Sequence, residues 1–148
     1  MFYYTRLYNW STHSDYIISM VKEFHIFGHG IELGMPETEH LERVLDWADN
    51  NSALLVFSGD VPVGMVLVCP ELQKDPHYPG LSMHTMFTVV LPGHPGATLA
   101  LYRGLVRVAK ANNADWLCTT KRTSDYTYTK RGHPLWAGLK NYLAKRRT

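Results

Sequence analysis

The segment Met83-His84-Thr85-Met86-Phe87-Thr88-Val89-Val90-Leu91-Pro92-Gly93-His94-Pro95-Gly96-Ala97-Thr98-Leu99-Ala100-Leu101-Tyr102-Arg103-Gly104 reads as an apolar strand, a tight Pro/Gly loop and a helix that starts inside the loop. A helix N-terminus leaves backbone N–H groups unpaired and carries about half a positive elementary charge, so it can hold a phosphate without dedicated side chains. Pro92, Gly93, Pro95 and Gly96 shape the loop, and Gly96 offers a ligand close approach to the backbone. Any strand-to-helix turn of an α/β domain can contain Gly and Pro, and each proline removes a donor, so the order of the surrounding elements has to decide what this unit does.

On the N-terminal side, Phe2 to Tyr8 is aromatic-rich enough for a first strand. Ser11 or Thr12 then caps a predicted helix over 13–27, with Ile17, Ile18, Val21 and Phe24 near one face and Gly28 stopping it. Gly28, Gly30 and Gly34 mark a connector. Pro36 opens a second helix over 37–49, with Leu41, Val44, Leu45 and Ala48 at helical spacing and acids in its first turn. Residues 53–57 and 63–68, joined by Ser58-Gly59-Asp60, form an antiparallel hairpin, and a loop rich in Pro and Gly covers 70–80. Beyond the loop at 92–96, the helix over 97–112 presents Leu99, Leu101, Tyr102, Leu105, Val106 and Ala109 as its stripe, and residues 115–120 form another strand. Strand, helix, strand implies a parallel crossover.

A chain of 148 residues with 45% hydrophobic content supports one core, read as a single domain over 1–148. No stretch approaches the roughly 18 apolar residues of a membrane span, and the first residues lack the form of a signal peptide, which predicts a protein with no membrane partner, expected in the cytoplasm. Cys69 and Cys118 sit in apolar runs and read as buried thiols. The eight histidines form no His-Glu-x-x-His helix, and His25 and His29 lack a third partner, so no metal site is expected. Residues 1–76 hold eleven acids against four Lys/Arg and residues 77–148 two against eleven, which gives −7 and +9 and the net charge of +2. The basic half either draws an anionic ligand towards 92–96, pairs with the acidic half, or ends in a solvated tail at Lys145-Arg146-Arg147.

The order β, α, α, β, β, β, α, β resembles the GNAT superfamily of N-acetyltransferases over nearly the whole chain. That family carries an Arg/Gln-x-x-Gly-x-Gly/Ala signature on the strand-loop-helix unit, and here Gly96 falls on its first glycine, Thr98 on the second small residue and Leu101 on the usual helix leucine. The leading Arg/Gln is absent, with Gly93 or His94 in its neighbourhood. Tyr128-Thr129-Lys130-Arg131-Gly132-His133 is similar to the family's Tyr-x-x-x-Gly-Phe, with His133 for Phe and Lys121 for an asparagine seven residues earlier.

The resemblance implies an α/β (α+β) fold with a mixed, mostly antiparallel sheet flanked by helices in the order β-α-α-β-β-β-α-β-(α)-β. It implies acetyl-CoA as the acyl donor, held by Val89, Val90, Leu91, Gly93, His94, Gly96, Ala97 and Thr98, and direct transfer to an amine in a ternary complex. Tyr128 is the expected acid for the departing thiolate, and His84 and Glu71 are candidate bases. The acidic half predicts a cationic acceptor such as a protein lysine, an amino terminus or a polyamine. Two other classes stay open. One is a non-catalytic interaction protein, such as a phage virion or host-binding component; the other is nucleic-acid binding through the basic, aromatic-rich C-terminal third, for which no recognition motif is present.

Overall fold

The fold is built outward from one hairpin: β2 (Ser52–Ser58) and β3 (Val61–Gln73) turn at Asp60 and pair antiparallel, Leu55 opposite Met65, in a computed structural model that describes residues 2–27, 34–124 and 127–135. β1 (Tyr3–Leu7) adds to the outer side of β2, and β4 (Ser82–Val90) adds to the inner side of β3. β5 (Trp116–Ser124) then lies parallel to β4, and β6 (Thr127–Pro134) pairs antiparallel with β5. The sheet therefore runs in chain order from β1 to β6, with one parallel contact, as the crossover requires.

Two apolar layers clothe this sheet. On one face, α1 (Trp10–Phe27) and α2 (Glu37–Asn50) bury Ile17, Met20, Val21, Val44 and Ala48 against Leu55, Met65 and Val89. On the other, α3 (Ala97–Ala111) buries Ala97, Leu101, Leu105 and Ala109 against Leu54, Val66, Val68 and Met83. The alternation of Leu54 and Leu55, or Val66 and Leu67, between the two clusters is the period-2 geometry of a strand buried on both faces.

Several boundaries differ from the sequence reading, each for a local reason. Helix α1 begins at Trp10 because Asn9, not Ser11 or Thr12, caps it: its Oδ1 accepts from the Ser11 N–H at 3.1 Å and from the Ser11 hydroxyl at 2.8 Å. Strand β3 continues through Pro70 to Gln73, because the proline falls in a register shift between Cys69 and Gln73 where no ladder donor is needed. Cys118 is buried, whereas Cys69 at that shift is only half-buried. The stripe of α3 follows Ala97, Leu101 and Leu105, leaving Leu99 52% exposed. No helix fits between the last two strands, since the ends of β5 and β6, Ser124 and Thr127, are separated by only two residues in the chain. The helix stop at Gly28, the connector at Gly30, the pair His25/His29 and the tail at 145–147 lie outside what is described. Among the described residues no helix is long and apolar enough to cross a membrane.

Gly104 sets how closely α3 approaches the sheet. A Cβ there would lie 2.8 Å from Leu54 Cδ2 and 2.8 Å from Thr5 Oγ1. Gly104→Ala should destabilise the protein by about 1–3 kcal/mol through overpacking, seen as a lower urea midpoint with unchanged slope; an unchanged midpoint would show that α3 can slide outward at no cost.

Candidate functional site

The parallel ladder between β4 and β5 is three residue pairs long, Ser82 with Trp116, Met83 with Leu117 and His84 with Cys118. Both strands then continue, β4 to Val90 and β5 to Ser124, without further pairing between them. The cause is visible on the β3 side. Val66 faces Thr88 and Leu67 faces Met86, so Phe87 is an extra residue with φ +32°, and a bulge of this kind bends its strand away from the straight course. At the vertex, the Thr85 hydroxyl donates to the Cys118 carbonyl at 3.2 Å and covers the first acceptor that the ladder leaves open.

A cavity opens on each side of the gap. The one of about 1090 Å³ is walled by α2 and the strands, through Val44, Trp47, Leu67, Met86 and Phe87. The one of about 720 Å³ lies under α3, against Thr98, Leu101, Tyr102 and Leu105. Thr88 and Lys121 line both, so the two cavities meet at the gap between β4 and β5, hereafter the slot.

The smaller mouth meets the start of α3. Gly96 is the N-cap residue, no side chain caps the helix, and its first turn holds no acid. Ala97 N–H donates to the His94 carbonyl at 3.1 Å and Ala100 N–H to the Gly96 carbonyl at 3.2 Å. Among the described residues the N–H groups of Thr98 and Leu99 have no acceptor. They constitute an open donor pair at the positive end of the dipole.

Gly93 shapes the loop as the sequence suggested, whereas Gly96 answers to a packing need. Gly93 has φ +85°, with open space where a Cβ would stand. Gly96 instead makes room for Tyr3, whose ring carbon would be 2.8 Å from a Cβ at that position. His94 is turned towards the same ring: the Tyr3 hydroxyl and His94 Nδ1 share a hydrogen bond of 3.3 Å. Tyr3 thus fixes the inner side of the loop and leaves Thr98, which is exposed, at the cavity.

Along β4 the backbone divides by alternation. Leu91 N–H donates to the Val63 carbonyl at 2.8 Å, and Val89, two residues earlier and opposite Met65, turns its polar groups to β3 in the same way. Val90 and Thr88 accordingly direct their N–H and C=O groups into the slot. Of Val89, Val90 and Leu91, Val90 thus turns its backbone to the slot and the other two turn theirs to β3; Thr88, which the sequence did not single out, faces the slot as well.

At the vertex a buried polar group gathers residues from three elements. Asp75, its side chain 2% exposed, accepts from Lys130 Nζ at 2.5 Å through Oδ2 and from the His77 N–H at 2.8 Å through Oδ1. The Lys130 hydrogen bond, followed by that of His77, holds the Asp75 carboxyl well below the usual carboxylate range, and the same contact raises Lys130. His84 Nε2 lies 3.1 Å from Asp75 Oδ2, yet without hydrogen-bond geometry, so that contact is electrostatic rather than a directed bond. Burial pushes His84 below the ordinary histidine value and outweighs the opposing pull of Asp75. Burial likewise pushes the Cys118 thiol up. Asp75, His84 and Cys118 present donor atoms within 4.8 Å of one another, but the Lys130 ammonium already supplies the cation on Asp75.

The remaining candidates separate. Tyr128, 61% exposed on β6, lines the larger mouth with Thr120 and Lys121. His84 itself lines neither cavity, although it shares its side of β4 with Met86, which lines the larger mouth. Glu71 is exposed on β3 and lines neither cavity. Gly132, part of the motif that suggested Tyr128, is glycine for packing, because the Tyr78 ring fills the place of its Cβ.

No family model matches this sequence, and no curated protein matches it. Solved structures do match by shape. AAC(6')-Iy, solved with a bisubstrate analogue of CoA and acetylneamine, aligns at TM-score 0.64 and 13% identity over 84% of this chain and 82% of that one. A predicted acetyltransferase from Clostridium acetobutylicum, solved with acetyl-CoA, aligns at TM-score 0.57 and 15% identity over 95% of this chain and 88% of that one. A probable N-acyltransferase from Enterococcus faecalis aligns at TM-score 0.61 and 9% identity over 83% of this chain, which spans only 30% of that protein. With its forked sheet, bulged fourth strand and helix entering from the fork, the chain has the fold of the GNAT superfamily of N-acetyltransferases.

Proposed function

We propose that this protein transfers an acyl group from acetyl-CoA to an amine by direct attack within a ternary complex. The observation that carries the reading is the slot between β4 and β5, where a cavity at an uncapped helix N-terminus on one face meets a second, larger cavity on the other. A donor with a diphosphate and a long, amide-bearing arm suits the first mouth. Its phosphates meet the Thr98 and Leu99 N–H groups, and its arm extends the sheet along Val90 and Thr88 as an added strand would. Its thioester then reaches the neck between Thr88 and Lys121.

From the larger mouth an uncharged amine attacks the thioester carbon; the new C–N bond forms as the C–S bond breaks. Thr88 N–H stands on the slot side of β4, where it can donate to the carbonyl oxygen as negative charge develops there. His84, neutral because burial depresses its pKa, takes the amine proton through water, with Asp75 and Lys130 fixing the charge around its ring. Tyr128 gives a proton to the departing thiolate. Comparison with enzymes solved with CoA and acetyl-CoA supports the donor; the roles of individual residues rest on the geometry above.

Acetyl-CoA at 100 times its dissociation constant should stabilise the protein by about 2.7 kcal/mol, read as a rise in Tm. Thr98→Glu should abolish that rise while leaving the free protein equal or up to about 1 kcal/mol more stable, because the carboxylate suits the helix dipole but repels a diphosphate. No rise at millimolar acetyl-CoA would favour a non-catalytic interaction protein.

The pH profile tests the base. Protonated His84 cannot accept a proton, so kcat/KM should fall as pH drops, with its acid limb below the ordinary histidine value, and His84→Gln should remove the limb. A limb retained in His84→Gln would dismiss His84. Tyr128→Phe should lower kcat by about 100-fold with the acetyl-CoA affinity unchanged, and unaltered turnover would dismiss Tyr128 as the acid.

A further inference from the structure

We infer that the larger mouth takes an amine carried on an apolar body of aromatic size, with no second positive charge; a polyamine or an aminoglycoside does not fit it. This rests on the acyl-transfer reading and narrows its acceptor. The cavity of about 1090 Å³ lies at the upper end of ordinary small-molecule sites, so it accommodates far more than an amino group. Met35, Val44, Trp47, Leu67, Met86 and Phe87 form the apolar part of its lining, beside uncharged polar residues such as Asn50, Asn51 and Thr120. Such walls reward an apolar body and leave additional ammonium groups without partners.

Charge points the same way. The acidic N-terminal half suggested a cationic acceptor, but among the described residues its carboxylates do not gather here. Among the described residues Asp46 is the one acid in the lining, beside Lys121 and an Arg43 that is already paired. Glu39 is spent on Arg43 at 2.8 Å, Glu37 and Glu42 do not line the cavity, and Asp75 is neutralised by Lys130 below the vertex. Lys121 stands at the neck itself, lining both mouths. A cationic residue at this neck disfavours a charged amine there and any further ammonium that a polycation brings.

The test compares 2-phenylethylamine, spermidine and neamine as acceptors by thiol release from acetyl-CoA at low ionic strength, alongside the Tm shift with acetyl-CoA alone. The expected result is a kcat/KM for 2-phenylethylamine at least about tenfold above those of both polycations. In Trp47→Ala its KM should rise about tenfold with the KM for acetyl-CoA unchanged, and Trp47→Phe should restore it. Spermidine or neamine equalling 2-phenylethylamine would overturn the inference and leave acyl transfer standing. Release with no amine, together with no Tm shift, would overturn both.

Discussion

A parallel ladder that stops after His84 and Cys118 governs the rest of the molecule. Six strands in chain order would otherwise make a closed sheet with a solid core on each side. An extra residue at Phe87, held at φ +32°, bends β4 out of line, and the backbone beyond it must find hydrogen-bond partners elsewhere. The edge left without partners is held open by the strand behind it, where Met65, Val66 and Leu67 are buried and fix β3 against the bulge. Strain of this kind persists where the surrounding structure over-determines it, and it commonly marks a site that another molecule completes.

The electrostatics follow from the same fork. One mouth presents peptide dipoles without a neutralising acid, and the other presents apolar walls with few charges. Between them the Asp75–Lys130 pair removes a carboxylate and an ammonium from play while leaving His84 neutral. On the proposed function, the arrangement separates the end that would bind the anion from the end that would receive the amine by the thickness of one sheet.

Much of this was legible in the sequence because it depends on local patterns. The hairpin at Gly59-Asp60, the strand-loop-helix unit and the parallel crossover each carry their own turn and periodicity signals, and the structure reproduces them. What escaped depends on tertiary neighbours. Nothing in Lys74-Asp75-Pro76 announces that Asp75 will be buried between His84 and Lys130, which lie 9 and 55 residues further along. The purpose of Gly96 and Gly132 is set by Tyr3 and Tyr78, rings from distant segments that no spacing rule connects to them. The bulge at Phe87 has no glycine to mark it, so the shift from Val89 to Thr88 as the slot-facing residue was invisible. The lone signal for Lys121 was its place where the family pattern expects asparagine.

On the proposed function, the amides at the start of α3 and along the open edge of β4 receive one extended, diphosphate-bearing ligand. Titrating coenzyme A into isotopically labelled protein and following backbone amide resonances tests it residue by residue. The account predicts that Thr98, Leu99, Val90 and Thr88 move together with one saturation curve, while Val89 and Leu91, bonded to β3, move least. Perturbations confined to other surfaces, or no saturable change at these four amides, would contradict it.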